Sequence, residues 1–444
     1  MLKINWFSPL PPVHSGIAYY AAQILPFLAR HHQVTAWTDQ DQVAPEMERL
    51  APVAHYDPAD PPWRALNNAD ICVYHLGNHG GIHGGIWQVS RQLPGIIVLH
   101  DLCLHDFFAM AFLRTLAQPE AYLDALERWY GKDGKEAGDA FRAGGIAAET
   151  MAQRFPLTRE AVRGALGVVT HSRRALEDLH ETPACPVAAL DFPYVASDEP
   201  RYRGWVATRN ATPAPPYRLV VFGYLSRNRR LASVLEALST MPEREQFRLE
   251  ICGQLWDEGH IREQIDHLGL GSIVNLYGFL SDAQVEQELS TAHLAINLRY
   301  PSMGEASLSQ MQFWDYGLPT LVTRTGWYAA LPEEATAFVR PEHEIADIQT
   351  HLRAFLADPE AFRVMGERGR QSLHRNDPEK YVDALTEFTS EALRFSPQVP
   401  GLRLAAGVGA DLSDWLHPAA GAYVLEHASR EIWTMLGGAK PDKV

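Results

Sequence analysis

The residues from 299 to 307 combine a cation, a glycine-containing turn and a helix start, and these features together suit an anion. Arg299 precedes the turn, Gly304 lies within it, and Glu305 and Ser307 stand where a helical pattern begins. This order points free backbone N–H groups at an anion such as a diphosphate. Because a carboxylate would repel a diphosphate, Glu305 is predicted to hold the hydroxyl groups of a sugar or ribose. The alternative is that Glu305 only complements the helix dipole.

A second cluster of cations is the RNRR run, which follows the apolar segment RLVVF and precedes a helical pattern. Its arginines, Arg227, Arg229 and Arg230, could hold a diphosphate through charge-assisted hydrogen bonds. A solvated basic surface is the alternative, but the position after a strand favours binding. Gly16 stands at another strand-to-helix junction. A glycine there lets a ligand approach the backbone, although the turn alone could also require it.

Histidines follow the apolar runs of the first half of the chain. His100 and Asp101 end the run GIIVL, at the edge of a parallel sheet where functional groups gather. His100 could hydrogen-bond a reacting sugar or phosphate. The alternative is a structural histidine beside a helix-capping aspartate. His171 and Ser172 end a later run in the same way, and we interpret this second pair as mainly structural.

The segment from 75 to 85, HLGNHGGIHGG, is rich in both histidine and glycine. Its histidines recur at spacing four, which would suit a metal site only on a helix. The interspersed glycines argue against a helix, so we predict a mobile loop. Asn78 and His83 are predicted to contact a ligand from this loop.

Two runs of alternating strands and helices must position these groups. The predicted strands of the first run are LKINWFS, QVTAWT, ADICVYHLG, GIIVLHD and LGVVTHS. Those of the second run are YRLVVFGYL, FRLEICG, IVNLYGFL, HLAINL and LPTLVT. Ser281 and Gln284 form a predicted capping box. Apolar strands that alternate with helices are typical of parallel sheets covered on both faces, so the fold class is α/β with two doubly wound domains.

The predicted domain boundaries follow from one change in composition. The polar, proline-rich residues 196–216 are predicted to link a first domain, 1–195, to a second domain, 217–378. The helical segment 379–444 is predicted to pack back on the first domain. Ligands of such sheets bind at the carboxyl ends of the strands, in the cleft between the domains.

Composition excludes several classes of function. The chain has 444 residues and a net charge of −15, which argues against a nucleic-acid surface. Its four cysteines form no CxxC pair, so a zinc knuckle is unsupported. The N-terminus lacks the pattern of a signal peptide, and the most apolar long segment, 95–113, is interrupted by polar residues. These features predict a cytoplasmic protein.

Several segments, in their order along the chain, resemble the GT-B glycosyltransferases of retaining family 4. They are SPLPPVHSGIAYY, YHLGNHGGIH, VLHD, FPLTREAVRGALGVVTHS, FGYLSRNRR, LEICG, VNLYGFLSD, LRYPSMGEASLSQ and GLPTLV. The resemblance implies two Rossmann-like domains that face a central cleft. It implies that the second domain binds a UDP- or GDP-linked sugar and that the first binds the acceptor. A hexose would be transferred with retention of configuration, without a metal ion or other cofactor.

The resemblance also implies roles for individual residues. It assigns catalytic roles to His100 and Glu305 at the donor sugar and to Arg229 at the phosphates, six residues after Gly223. The residues implied on the donor side are Gly16, Gly223, Arg227, Arg230, Arg299, Gly304, Ala306, Ser307 and Gln312. Those predicted on the acceptor side are Asn78, His83 and Asp101. Two positions depart from the family: Tyr224 replaces a basic residue, and Gln312 replaces the second glutamate of its motif.

Two alternative functions remain open at this level. A nucleotide-sugar epimerase would act on the donor without an acceptor. A catalytically silent relative would bind sugar nucleotide or act as a scaffold, and the departures at Tyr224 and Gln312 favour it. The sequence leaves open the sugar, the base and the oligomeric state. The acceptor could be a glycan, a lipid-linked molecule at the inner membrane face or a small molecule, so peripheral membrane contact is also open.

Overall fold

The computed structural model describes residues 1–180, 185–212 and 214–398. Its first sheet has seven parallel strands in the order β3-β2-β1-β4-β5-β6-β7. These strands are β1 (Lys3–Phe7), β2 (Gln33–Thr38), β3 (Val53–His55), β4 (Ile71–Leu76), β5 (Ile96–Leu99), β6 (Gly167–Thr170) and β7 (Val187–Ala189). Every residue of β4, β5 and β6 is buried, because helices cover both faces of the sheet. The short edge strands β3 and β7 were not predicted, because three residues give no clear period.

Nine α-helices surround the first sheet in the described residues. They are α1 (Gly16–His31), α2 (Met47–Leu50), α3 (Trp63–Leu66), α4 (Gly80–Gln92), α5 (His105–Met110), α6 (Pro119–Arg142), α7 (Ala148–Arg154), α8 (Thr158–Val162) and α9 (Arg173–His180). A π-helical turn, Ala111–Thr115, extends α5. The stretch from His105 to Val162 is therefore mostly helical.

The glycine-rich segment is helical from Gly80 onward, in α4, so the prediction of a mobile loop was wrong for this part. Two of its glycines serve close packing. A Cβ on Gly80 would lie 2.7 Å from the carbonyl oxygen of Phe107, and one on Gly85 would lie 2.3 Å from Asp39 Oδ2. Tertiary contacts thus require glycine here and outweigh its low helix propensity.

The predicted linker is also more ordered than its composition suggests, because Glu199–Asn210 forms helix α10. Asp198 caps this helix by accepting a hydrogen bond from the backbone N–H of Arg201. Trp205 stacks on Tyr316 with ring centroids 3.8 Å apart, and the guanidinium of Arg209 donates to the carbonyl oxygen of Tyr316 at 2.7 Å. The linker helix is therefore docked on the second domain.

The second sheet has six parallel strands in the order β10-β9-β8-β11-β12-β13. They are β8 (Tyr217–Phe222), β9 (Phe247–Cys252), β10 (Val274–Gly278), β11 (Leu294–Asn297), β12 (Thr320–Thr323) and β13 (Ala337–Val339). The accompanying helices are α11 (Leu231–Ser239), α12 (Glu258–His267), α13 (Asp282–Thr291), α14 (Leu308–Asp315), α15 (Glu344–Ala357), α16 (Pro359–Ser372) and α17 (Pro378–Phe395). The predicted capping box of Ser281 and Gln284 is present at α13. Two doubly wound parallel sheets confirm the predicted fold class.

The strand orders place a switch point in each sheet, between β1 and β4 and between β8 and β11. Chain connections leave opposite faces of the sheet at a switch point, which opens a crevice at the carboxyl ends of the strands. The loops after β1 and β4 thus lie at one crevice, with the loop after β5 on the neighbouring strand, and those after β8 and β11 lie at the other. These five loops contain most of the predicted site residues.

Helix α17 packs on helix α1 of the first domain. Tyr381, Val382, Leu385 and Phe388 are buried in a core that also contains residues of α1. Residues 399–444 of the predicted segment lie outside the described residues. No helix in the part of the chain that is described is both long and apolar enough to span a membrane.

Phe388 should be a main anchor of α17, because its ring fills the space beside Gly167, where a Cβ would lie 2.8 Å from the ring. We expect Phe388→Ala to lower the free energy of unfolding by about 3–5 kcal/mol, as for other buried aromatic truncations. Urea unfolding measures this change. The exposed Glu391→Ala on the same helix is the control, and we expect it to stay within about 0.5 kcal/mol of wild type. Equal effects of the two changes would contradict the docking of α17.

Candidate active site

The two domains meet where the loop after β5 contacts the loop after β11. The backbone N–H groups of Leu102 and Cys103 donate to the carbonyl oxygen of Met303 at 2.8 and 2.9 Å. Gly304 has φ +81°, and a Cβ on it would lie 2.6 Å from Leu102 Cβ. Glycine is therefore required by both the backbone conformation and the close approach. This contact brings Asp101 of the first domain near Glu305 of the second.

Glu305 is held by its own loop. Its Oε2 accepts a hydrogen bond from the backbone N–H of Met303 at 2.8 Å, and its Oε1 lies 3.1 Å from Arg299 Nε in an ion pair. Arg299 Nε also donates to the hydroxyl of Tyr328 at 3.2 Å. This arrangement fixes one carboxylate and one guanidinium side by side at the edge of the second sheet.

Helix α14 begins at Leu308, three residues after Glu305, which agrees with the helical pattern predicted after Glu305. Ser307 is its N-cap, and its hydroxyl accepts a hydrogen bond from the backbone N–H of Gln310 at 3.1 Å. The cap ends the loop and leaves Glu305 outside the helix. Ala306, between the two, is half-buried.

Arg229 lies beneath the loop after β8 rather than on its surface, since only 2% of the residue is exposed. Its Nη1 donates to Asn297 Oδ1 and its Nη2 to the carbonyl oxygen of Phe222, both at 2.8 Å. Its Nε is buried and has no hydrogen-bond partner in the described part of the chain. Burial, and then the charge of Arg299, lower the pKa of Arg229 to about 9. The side chain thus places a constrained cation under the predicted phosphate site.

A buried polar chain connects Arg229 to the start of α14. Asn297 Nδ2 donates to Gln310 Oε1 at 2.9 Å, and Gln310 Nε2 donates to Thr320 Oγ1 at 3.0 Å. Asn297, Gln310 and Thr320 have no exposed surface. This series of hydrogen-bonded side chains was not predicted from the sequence. Its available signal was Asn297, a polar residue inside the apolar run HLAINL.

The other arginines of the RNRR run point to different partners. The guanidinium of Arg227 lies 4.1 Å from the ring centroid of Trp256, and Arg230 forms an ion pair with Glu344 at 2.8 Å. The run therefore does not form the single cationic surface that three neighbouring arginines suggest. The backbone N–H of Tyr300 donates to the carbonyl oxygen of Asn228 at 2.8 Å, which ties this loop to the loop after β11.

Asp101 faces the second domain across the cleft. Its Oδ2 accepts a hydrogen bond from the backbone N–H of Asn78 at 2.8 Å. Burial and then the charge of Glu305 raise the pKa of Asp101 to about 7, against the opposing effects of Asn78 and Arg299. Asp101 can therefore change protonation state near neutral pH.

Asn78 and His83 lie beside Asp101, and both have structural partners. The side chain of Asn78 accepts from the backbone N–H of Phe107 at 2.9 Å and so supports the start of α5. His83 is buried on α4, and its Nδ1 lies 3.0 Å from the carbonyl oxygen of His75. A Cβ on Gly77 would lie 3.0 Å from His83 Nε2 and 3.2 Å from Asp101 Oδ2, so these polar atoms converge on Gly77.

His100 forms a buried pair with His75, with 2.9 Å between His100 Nε2 and His75 Nδ1. Burial, followed by the neighbouring histidines, holds the pKa of His100 well below its usual range. His100 is therefore neutral at physiological pH. It can donate or accept a hydrogen bond at the cleft, but it does not supply a positive charge.

The remaining predicted residues lie on both domains. A Cβ on Gly16 would lie 3.9 Å from Leu308 at the start of α14, so this first-domain glycine faces the second domain. Gly223 has φ +118°, Tyr224 is exposed, and Gln312 is half-buried on α14. Among the residues described, no group of three or more His, Cys, Asp or Glu side chains is arranged to hold a metal ion.

Residues 208–372 match the family model described as glycosyl transferases group 1. This match covers the second sheet, both of its site loops and the end of the linker helix. Residues 208–372 thus belong to the glycosyl transferases group 1 family, and the whole chain has the GT-B fold. The predicted family resemblance is thus confirmed for the fold and the class of enzyme, whereas membership of retaining family 4 stays a prediction. No relative among curated proteins matches the chain.

Solved structures share the fold of this glycosyltransferase at low sequence identity. HepE from Anabaena, in complex with UDP and glucose, is 14% identical with a TM-score of 0.59, and the match covers 88% of this chain and 100% of HepE. Sucrose-phosphate synthase from Thermosynechococcus elongatus is 14% identical with a TM-score of 0.60, over 87% and 98% of the two chains. WaaG, a glycosyltransferase involved in lipopolysaccharide biosynthesis, is 15% identical with a TM-score of 0.56, over 87% and 100%.

The raised pKa of Asp101 should make stability depend on pH. Between an unfolded-state pKa of about 4 and the folded value of about 7, the folded protein binds more protons, so the contribution of Asp101 falls as pH rises. We expect Asp101→Asn, which keeps an oxygen for the Asn78 N–H, to gain stability relative to wild type from about pH 5 to about pH 8. Urea unfolding at both pH values measures the difference. The exposed Asp266→Asn is the control. If Asp101→Asn differed from wild type by the same free energy of unfolding at both pH values, the pKa of the Asp101 carboxyl would not be raised.

Proposed function

We propose that this glycosyltransferase moves a hexose from a UDP- or GDP-linked donor to a hydroxyl acceptor, with retention of anomeric configuration and without a metal ion. The observation that carries this proposal is the contact of Leu102 and Cys103 with Met303. It sets His100 and Asp101 of the first domain opposite Arg299 and Glu305 of the second. The complex of HepE with UDP-glucose supports a UDP-linked donor in a similar fold.

The leaving diphosphate would be stabilised from the second domain. The N-terminus of α14 provides backbone N–H groups, and Arg299 provides a cation at the same loop. Arg229 would act through its positive charge, from beneath the loop after β8, rather than through hydrogen bonds to the phosphates. Both of its Nη groups already donate hydrogen bonds within the protein. The polar chain through Asn297 holds these groups in place before the donor binds, so little reorganisation is needed during reaction.

The donor sugar would lie between Glu305 and His100. The carboxylate of Glu305 accepts hydrogen bonds from sugar hydroxyls and stabilises the positive charge that develops at the anomeric carbon. His100 is neutral and contributes a hydrogen bond from the opposite domain. Closure of the two domains around the sugar excludes water that would otherwise hydrolyse the donor.

Transfer requires no protein nucleophile in this proposal. The acceptor oxygen bonds to the anomeric carbon on the face from which the phosphate leaves, the bond from that carbon to the phosphate oxygen breaks, and the phosphate takes the acceptor proton. Asp101 lies on the acceptor side, where its carboxyl would orient the attacking hydroxyl. Asn78 and His83 support Asp101 in this role.

A catalytically silent sugar-nucleotide binder or scaffold is the second candidate. The occupied Nη groups of Arg229 favour it, together with the departures at Tyr224 and Gln312. A nucleotide-sugar epimerase remains the alternative within enzymes. Formation of a glycosylated acceptor separates the transferase from both.

A panel of nucleotide sugars should identify the donor. We expect one UDP- or GDP-linked hexose to raise the melting temperature, because a ligand at 100 times its Kd stabilises the folded state by about 2.7 kcal/mol. Thermal unfolding with each donor, and with UDP, GDP and ADP alone, measures the shift. The same donor should be slowly hydrolysed when acceptor is absent. Binding without hydrolysis or transfer would favour the silent relative, and no binding would overturn the proposed function.

Glu305→Gln tests the role of the carboxylate. The change keeps the shape of the side chain and removes the charge that faces the anomeric carbon, so we expect kcat to fall by about 100-fold or more. Affinity for the free nucleoside diphosphate should change much less, since Glu305 is assigned to the sugar. Steady-state kinetics and calorimetry measure the two quantities. The exposed Glu334→Gln is the control, and unchanged turnover of Glu305→Gln would contradict this role.

A further inference from the structure

His75 and His100 form a direct hydrogen bond in the core of the first domain. His75 is the fifth residue of β4, and the backbone N–H of His100 donates to the carbonyl oxygen of the next residue, Leu76, at 2.9 Å. The ring of Trp6 packs on His75 with centroids 4.1 Å apart. His75 has no exposed surface, whereas His100 keeps 8% of its surface exposed. The pair therefore connects the buried sheet to the cleft.

Both rings are neutral. Burial, and then neighbouring histidines, hold the pKa of His75 and of His100 well below the usual range. The imidazoles around them are neutral for the same main reason, since burial lowers the pKa of His83 to about 3 and that of His171 to about 4. A neutral imidazole carries one N–H group, so the bond between His75 and His100 has one proton at a defined end.

The surroundings of His75 decide which end carries this proton. His75 Nε2 is buried and has no hydrogen-bond partner among the described residues. If His100 Nε2 donated, His75 would carry its proton on Nε2, as a buried N–H without an acceptor. If His75 Nδ1 donates, its Nε2 is a bare acceptor. Buried N–H groups without partners are rarer than unpaired acceptors, so the second arrangement is favoured.

We propose that His75 is a positioning residue that holds His100 as the Nδ1–H tautomer. His100 Nε2 then accepts from His75, and Nδ1–H is the one polar group of the ring left for a substrate. His100 would thus donate a hydrogen bond to an oxygen of the bound sugar or phosphate, and would not act as a base. The effect on catalysis rests on the proposed function, whereas the tautomer itself does not.

The tautomer can be measured directly on the full chain. Long-range proton–nitrogen correlation spectra of protein labelled with nitrogen-15 in histidine distinguish a protonated ring nitrogen from a bare one. We expect wild-type His100 to be protonated at Nδ1 and bare at Nε2. Observation of His100 protonated at Nε2 in wild type would overturn the proposal, and this result does not depend on any variant or on activity.

His75→Leu removes the hydrogen-bond donor, and His171→Leu is the matched control. His171 is also a buried histidine beside His100, with ring centroids 5.3 Å apart, but its Nδ1 bonds to the carbonyl oxygen of Leu190. We expect His75→Leu to shift His100 away from the pure Nδ1–H form and to lower kcat by about 10- to 100-fold, as is typical for outer-shell partners of histidine. His171→Leu should leave the tautomer unchanged. Equal effects of both variants on the tautomer would overturn the proposal.

These experiments distinguish a failure of the proposed function from a failure of the role assigned to His75. A wild-type protein that shows the Nδ1–H tautomer but transfers no sugar would refute the proposed function and leave the inference about His75 standing. A wild-type protein that transfers sugar while His100 is protonated at Nε2 would refute the inference alone.

Discussion

The approach of two backbones across the cleft is the constraint on which the rest of the site depends. Leu102 and Cys103 share the carbonyl oxygen of Met303, and Gly304 lies so close to Leu102 that a Cβ would not fit. A core that contains Met311 and Trp314 of α14 together with residues of the first sheet joins the two domains, and the backbone hydrogen bonds to Met303 fix the distance between the two loops. Because these hydrogen bonds fix it, Asp101 and Glu305 interact electrostatically although about 200 residues separate them, and their mutual repulsion helps to raise the pKa of Asp101.

The second domain prepares its half of the site through buried polar groups. Arg229, Asn297, Gln310 and Thr320 form a chain that links the loop after β8 to the start of α14 and to β12. Such groups are costly to bury unless they are paired, so their pairing fixes the loops in one arrangement. The Arg229 cation beneath the predicted phosphate site is therefore a preorganised element, and its hydrogen bonds to Asn297 and Phe222 explain why it does not extend into solvent.

The first domain uses aromatic and histidine packing for the same purpose. Trp6, Tyr20 and His171 surround the His75–His100 pair, and helix α17 covers this cluster with Tyr381. Burial of the rings removes their charge and leaves them as hydrogen-bonding groups. The helix that follows the second domain thus contributes to the surroundings of a residue at the cleft.

Sequence patterns predicted correctly those elements that depend on interactions between residues close together in the chain. The buried strands, the helix at Gly16 and the capping box at Ser281 follow from hydrophobic period and from capping, which act over a few residues. Gly304, His100 and Glu305 were predicted as site residues because they follow strands, at the edge where parallel sheets place their sites. The glycine-rich segment was predicted wrongly, because the reason for its glycines is contact with Phe107 and Asp39, far away in sequence.

The sequence by itself determined two doubly wound domains, a cleft and the residue types along it. Only the tertiary structure decided how those residues are used. Arg227, Arg229 and Arg230 are adjacent in sequence, yet they contact Trp256, Asn297 and Glu344. His75 gave no sign of a bond to His100. Pairing, burial and protonation depend on neighbours that are distant in the chain, because desolvation and hydrogen bonding are set by the three-dimensional surroundings of a group and not by the residues beside it.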